Sequence, residues 1–140
     1  MKMRTIMVPV DGSEHARRAC DYAADVAGVY GAEILLVVVH QAVPLTLGEP
    51  NFQHVTDALL LEAEATVQPY EASLRESGAK YRTRIVGGDV AETLNDVAVS
   101  EAVDLIVVGT KGKSDLEGLL LGSVTHKLLH IAPCPVLVVR

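Results

Sequence analysis

The stretch that most restricts the fold is Ile34-Leu35-Leu36-Val37-Val38-Val39, apolar at every position and rich in β-branched side chains. A bounded apolar run of this length reads as a strand. Without alternation it has no wet face, so both sides must be covered. Strands of that kind sit inside parallel sheets, with helices packed on both faces.

The rest of the chain supplies the matching parts. Thr5 to Val10 is a short apolar run ending at Asp11-Gly12. Ser13 then caps a helix on which Ala16, Ala19, Cys20, Ala23 and Ala27 recur at helical spacing, ending at Gly31. His40 to Asn51 carries Pro44, Gly48 and Pro50 with no period and reads as a loop. From about His54 to Ser77, Leu59, Ala63, Val67, Tyr70 and Leu74 trace an amphipathic helix, with Pro69 expected to kink it or strip a partner from a carbonyl near Ala65. Tyr81 to Val86 alternates Arg82 and Arg84 against apolar residues, as an edge strand with one wet face does. Asp89 and Glu92 form an expected capping pair for a helix through Val90, Leu94, Val97 and Ala98. Leu105 to Val108 is the next strand. Val124, Leu128 and Ile131 mark the last helix, and Pro133-Cys134-Pro135 breaks it before a final strand, Val136 to Val139. Strands and helices alternate throughout, which predicts one parallel, doubly wound sheet with right-handed crossovers. With 140 residues, the chain is read as a single domain spanning 1–140.

Ligands of such sheets bind beyond the carboxyl ends of the strands, at the point where strand order reverses. Pro9, Val10 and Asp11 stand at one such end, and Val39 and His40 at another. A third end opens into the glycine-bearing stretch from Val108 and Gly109 through Lys111 and Gly112 to Gly122, Ser123 and Val124. A strand end, a glycine turn and a second glycine opening a helix suit a phosphate. Free N–H groups and the helix dipole favour an anion there, and a missing Cβ lets an oxygen approach the backbone. On spacing alone, turn glycines with no ligand are an equal reading. Gly112-Lys113-Ser114 mimics the end of a Walker loop, but Val107 stands where that motif needs its first glycine. Asp11 would be repelled by a polyphosphate, so its carboxylate suits a base amino group or a ribose hydroxyl, leaving the glycine stretch for phosphates.

A net charge of −6 argues against nucleic acid or an anionic membrane as the main partner. Cys20 and Cys134 stand far apart with no C-x-x-C motif, as reduced thiols of a cytoplasmic protein do. The opening residues are too short in apolar length for a signal peptide, and no run approaches the ~18 apolar residues of a membrane span.

Taken together, these residues resemble the universal stress protein family across nearly the whole chain. Ile6-Met7-Val8-Pro9-Val10-Asp11-Gly12-Ser13 resembles the family's first strand and its aspartate, and Asp104 to Gly109 its fourth strand. Gly109-x2-Gly112-x9-Gly122-Ser123 resembles its nucleotide-binding signature, and Pro133 to Val139 its last strand. The resemblance implies a five-stranded parallel sheet of order 3-2-1-4-5 and a homodimer joined through Val136 to Val139. It further implies ATP at the signature, with AMP and ADP as alternatives. Pro9, Asp11 and Val39 would meet the adenosine, and Val108 and Gly109 the ribose side. Gly112, Gly122, Ser123 and Val124 would hold the phosphates. Lys111 and Lys113 are candidates to neutralise phosphate charge, and Asp115 and Glu117 to assist a Mg²⁺ carried on the phosphates. His126 and His130, four apart on the last helix, lack further ligands and read as a wet pair. His15 and His40 are expected to flank the crevice. No nucleophile–base set is readable, so a regulatory nucleotide-binding module with slow or no hydrolysis is expected ahead of a nucleotide hydrolase or a protein-binding dimer.

Overall fold

The computed structural model describes residues 2–140. Strands β1 (Thr5–Pro9), β2 (Glu33–His40), β3 (Tyr81–Gly87), β4 (Leu105–Gly109) and β5 (Val136–Val139) form one sheet in the order β3-β2-β1-β4-β5. Every pairing is parallel. Helices α1 (Glu14–Tyr30), α2 (Asn51–Ser77), α3 (Val90–Ser100) and α4 (Ser123–Ile131) make the crossovers. The expected strand order is therefore present, with strand order reversing between β1 and β4.

The unbroken apolar run of β2 is used on both sides. Ile34, Leu36 and Val38 face a core shared with α1 and α2, whereas Leu35 and Val37 face a core shared with α3 and α4. The small face of α1 is buried as the spacing predicts, at Ala16, Ala19, Cys20, Ala23 and Ala27. Alanines there let the helix lie close over β1 and β4. Ser13 caps α1, its Oγ accepting the Ala16 N–H at 3.1 Å. Among the described residues no helix is long and apolar enough to cross a membrane.

Several local expectations are corrected. The loop after β2 contains a 3₁₀ turn, Leu45–Leu47, and α2 starts at Asn51 instead of His54. Pro69 lies inside α2, as expected, and the helix continues past it with Ala63, Val67, Tyr70 and Leu74 buried. Asp89 caps α3 by accepting the Glu92 N–H, but the Glu92 carboxylate pairs with Lys127 instead of closing the capping box. Ser123 does not cap α4. Gly122 holds that position without a side chain, and Ser123 is the first helical residue. On α4 the buried residues are Thr125 and Leu128, while Ile131 is exposed. β3 is an edge strand with one wet face, as the alternation predicts, its Arg82 and Arg84 side chains 40 % and 38 % exposed. Arg82 pairs with Glu33 at 2.7 Å and with Glu101, and Arg84 pairs with Glu101 at 3.3 Å, so the edge is stitched to β2 and to the end of α3.

Candidate nucleotide cleft

At the carboxyl ends of β1, β2 and β4 the chain diverges. α1 leaves β1 on one side of the sheet, and α3 and α4 lie on the other. The opening left between them is a cleft of about 320 Å³, at the small end of the ~300–1,000 Å³ typical of ligand sites. Pro9, Val10, Asp11, Val39, Val108, Gly109, Lys111, Gly112, Ser123 and Val124 all line it, together with Lys113 and Asp115. Gly122 stands behind the wall and does not line it. Three residue stretches far apart in sequence thus converge because β2, β1 and β4 are neighbours.

Sequence reasoning missed part of the wall. Val90 and Leu94 of α3, Ala16 of α1 and Thr125 of α4 also face the cleft. Val90 and Leu94 were legible only as the apolar stripe of a helix. The available signal was strand order, since α3 packs on the face of the sheet that carries Val37 and Val108. His40 lies outside this cleft and lines an adjoining groove with Asp11, Val39 and Lys113. His15 packs its Cβ and backbone against Gly109, and its Nδ1 lies 3.0 Å from Arg18 Nη2.

The glycines have distinct reasons. A Cβ on Gly109 would sit 2.9 Å from the His15 carbonyl carbon, so this glycine lets β4 end against the first turn of α1. A Cβ on Gly112 would sit 2.7 Å from Asp11 Oδ2. One on Gly122 would sit 2.8 Å from Lys111 Cα and overlap the Asp115 carboxylate. Gly122 also donates its N–H to the Thr110 carbonyl at 2.7 Å, which closes the loop from Lys111 to Leu121. Thr125, 2 % exposed, donates its hydroxyl to the Gly109 carbonyl at 2.8 Å and fixes the start of α4 to the end of β4.

The carboxylates make contacts that the sequence does not show, although Asp11 and the glycine stretch share one crevice as expected. Asp11 Oδ1 accepts the Ser13 N–H at 2.9 Å, and Oδ2 accepts the Lys113 N–H at 2.8 Å. It therefore bridges the turn after β1 to the glycine loop itself. Each oxygen retains a second lone pair for a ligand donor. Asp115 Oδ2 accepts the Gly112 N–H at 2.6 Å, and Oδ1 lies 3.4 Å from both the N–H and the Oγ of Ser123. Lys111 and Lys113 stand in the same wall. Tyr70 of α2 supports the arrangement from outside, its OH accepting the Gly12 N–H at 3.0 Å. Burial pushes that phenol up to about 12, with the nearby Asp11 charge adding to the effect.

His126 and His130 are exposed, their rings edge to face with centroids 4.8 Å apart. Among the described residues no three His, Cys, Asp or Glu side chains cluster to hold a metal ion.

Comparison with known proteins bears on the whole chain. The profile described as the universal stress protein family matches residues 2–140. A universal stress protein of Thermus aquaticus, described by its position in the QAH/OAS sulfhydrylase 3′ region, is 38% identical over 98% of both chains. The universal stress protein UspA from Lactobacillus plantarum superposes with a TM-score of 0.87 at 27% identity, over 100% of this chain and 99% of its own. The universal stress protein from Archaeoglobus fulgidus in complex with dAMP shares the fold, with a TM-score of 0.72 at 22% identity over 100% of both chains. The sequence profile, the relative of equal length and the shared strand order agree, and the chain belongs to the universal stress protein family.

Proposed function

We propose that the chain binds an adenine nucleotide in the cleft between α1, α3 and α4, with ATP as its full-length ligand and AMP or ADP as shorter ones. The observation that carries this reading is the convergence of the Gly112 and Ser123 N–H groups on one anion, here the Asp115 carboxylate, beside the start of α4. A helix N-terminus favours an anion there, and a phosphate asks for the same donors. The phosphates lie along Gly112, Ser123 and Val124, with Gly122 holding the loop from behind and Lys111 neutralising charge. The nucleoside lies along Pro9, Val10, Asp11 and Val39, where one wall is apolar and Asp11 accepts from an amino group or ribose hydroxyl. Val108 and Gly109 form the floor between the two ends. The dAMP held by the A. fulgidus relative supports an adenine nucleotide as the ligand class.

A Mg²⁺ accompanying ATP would be carried on the nucleotide's own oxygens, since Asp115 is turned onto loop N–H groups and Glu117 is exposed. The cleft holds no side chain paired as base to a nucleophile, which supports a regulatory module of the stress response with slow or no hydrolysis. Among the described residues no strand pairs with the outer edge of β5, whose residues are half-buried, which supports a homodimer formed through Val136–Val139.

The test is calorimetric titration of ATP and AMP into the protein and into Gly122→Val, with mass spectrometry of nucleotide released by acid from the purified chain. The variant's side chain collides with the Lys111 backbone and opens the loop, so ATP binding is expected to vanish while the thermal transition persists. Equal affinity in both proteins overturns the phosphate assignment. Near-stoichiometric released nucleotide identifies the ligand and its phosphate count.

A further inference from the structure

The position best suited to a phosphate is filled by the chain itself. Asp115 Oδ2 takes the Gly112 N–H at 2.6 Å, and Oδ1 faces the Ser123 N–H and hydroxyl at 3.4 Å. These groups flank the N-terminal end of α4, where an anion is favoured. The missing Cβ of Gly122 opens the space that the carboxylate occupies. A carboxylate and a phosphate ask for the same donors, and two anions cannot share them.

We propose that Asp115 is an intramolecular competitor for the nucleotide's phosphate, closing the site in the ligand-free protein and leaving it when a phosphorylated nucleotide enters. The inference rests on the nucleotide reading above and adds its regulation. The segment that carries Asp115 is built to leave. Leu116, Glu117, Gly118, Leu119 and Leu120 are all exposed, with Leu120 at 92 %. Apart from the Asp115 bonds, its backbone ties are the turn bonds Asp115 N–H to Gly112 O (3.3 Å) and Leu119 N–H to Leu116 O (3.4 Å). Lys113 is held separately, by Asp11. Displacement of Asp115 therefore frees an exposed leucine-bearing segment without breaking the sheet or a core contact.

Competition of this kind raises the apparent dissociation constant by the inverse of the open fraction. It discriminates by phosphate, because a nucleoside that leaves the anion position alone does not meet Asp115. Nucleoside contacts at Asp11 and Val39 are untouched.

The experiment titrates adenosine, AMP and ATP into wild type, Asp115→Ala and Asp115→Asn, with and without Mg²⁺, and follows the Gly112 amide by NMR. A charge-assisted hydrogen bond lost from the competitor corresponds to roughly tenfold or more in binding. The expected result is ATP about tenfold tighter to Asp115→Ala than to wild type, adenosine unchanged, and Asp115→Asn between the two. The Gly112 amide shifts upfield in Asp115→Ala, where its short hydrogen bond is gone. Equal ATP affinity in wild type and Asp115→Ala overturns the competitor alone, as does tightening that is the same for adenosine. Weaker ATP binding by the variant, confined to solutions with Mg²⁺, also overturns it and assigns the carboxylate to a cation on the phosphates. Failure of every form to bind any of the three ligands overturns the nucleotide reading and the competitor with it.

Discussion

Thr125 gives the sharpest test of how α4 is held to the site. Its side chain is buried, 2 % exposed, and its hydroxyl donates to the carbonyl of Gly109 at 2.8 Å. Thr125→Val keeps the shape and removes the donor. An acceptor that loses its partner in a buried site costs about 1–3 kcal/mol. The unfolding entropy of about 2.1 cal/mol/K per residue, taken over 140 residues, is about 0.3 kcal/mol/K. One kcal/mol thus lowers Tm by about 3 °C, and the substitution is expected to lower it by about 3–10 °C. Thr125→Ser keeps the hydroxyl and loses one methyl, worth about 0.8 kcal/mol before any cavity cost, so it should melt above the Val variant. Differential scanning calorimetry at one fixed protein concentration reads both. ATP affinity should fall with Thr125→Val, because Ser123 and Val124 lose their anchor to the end of β4. A Val variant that melts within a degree of wild type, or above the Ser variant, refutes the hydrogen-bond argument and leaves only packing.

Four further outcomes follow from the structure. Ser13→Ala removes the cap of α1 and should cost about 1 kcal/mol by chemical denaturation, with an unchanged m-value. Burial pushes the Cys20 thiol up to about 12 and Tyr70 is raised likewise. Below their ordinary values both states keep the protons and stability is full. Between those values and about pH 12 only the unfolded chain releases them, so stability falls as pH rises, by up to about 1.4 kcal/mol per pH unit for Cys20. Cys20→Ala should flatten the fall in Tm between pH 9 and 11, and an equally steep fall in that variant removes the thiol from the account. Gly112→Ala places a Cβ 2.7 Å from Asp11 Oδ2, so it should weaken ATP binding with little change in circular dichroism. Light scattering of Val138→Lys tests the β5 edge, a shift from dimer to monomer being expected if that strand pairs with its copy.

The layered sheet was legible because its information is local. The unalternating run of β2, the alanine stripe of α1, and the apolar ends of β1 and β4 each report covered faces through their own spacing. The glycine stretch was legible as the turn between a strand end and a helix start for the same reason, since the two lie close in sequence. Where spacing was ambiguous, packing decided. Thr125 lies inside, where its hydroxyl meets the Gly109 carbonyl, and Ile131 is left exposed. Glu92 turned from its own helix to Lys127 because α3 and α4 lie side by side on the sheet. Val90 and Leu94 became part of the cleft only once α3 was set beside α4.

Asp11 and Asp115 mark the division most clearly. Their charge and their place beside glycines are properties of the chain as written. That Asp11 reaches across to the Lys113 N–H, and that Asp115 turns back onto Gly112 and Ser123, depends on strands β1 and β4 lying side by side and on a loop closed by Gly122. Hydrogen bonds reach only about 3 Å, so partners distant in sequence are chosen by the tertiary structure alone. Periodicity, by contrast, is written into every turn and strand before the chain has folded.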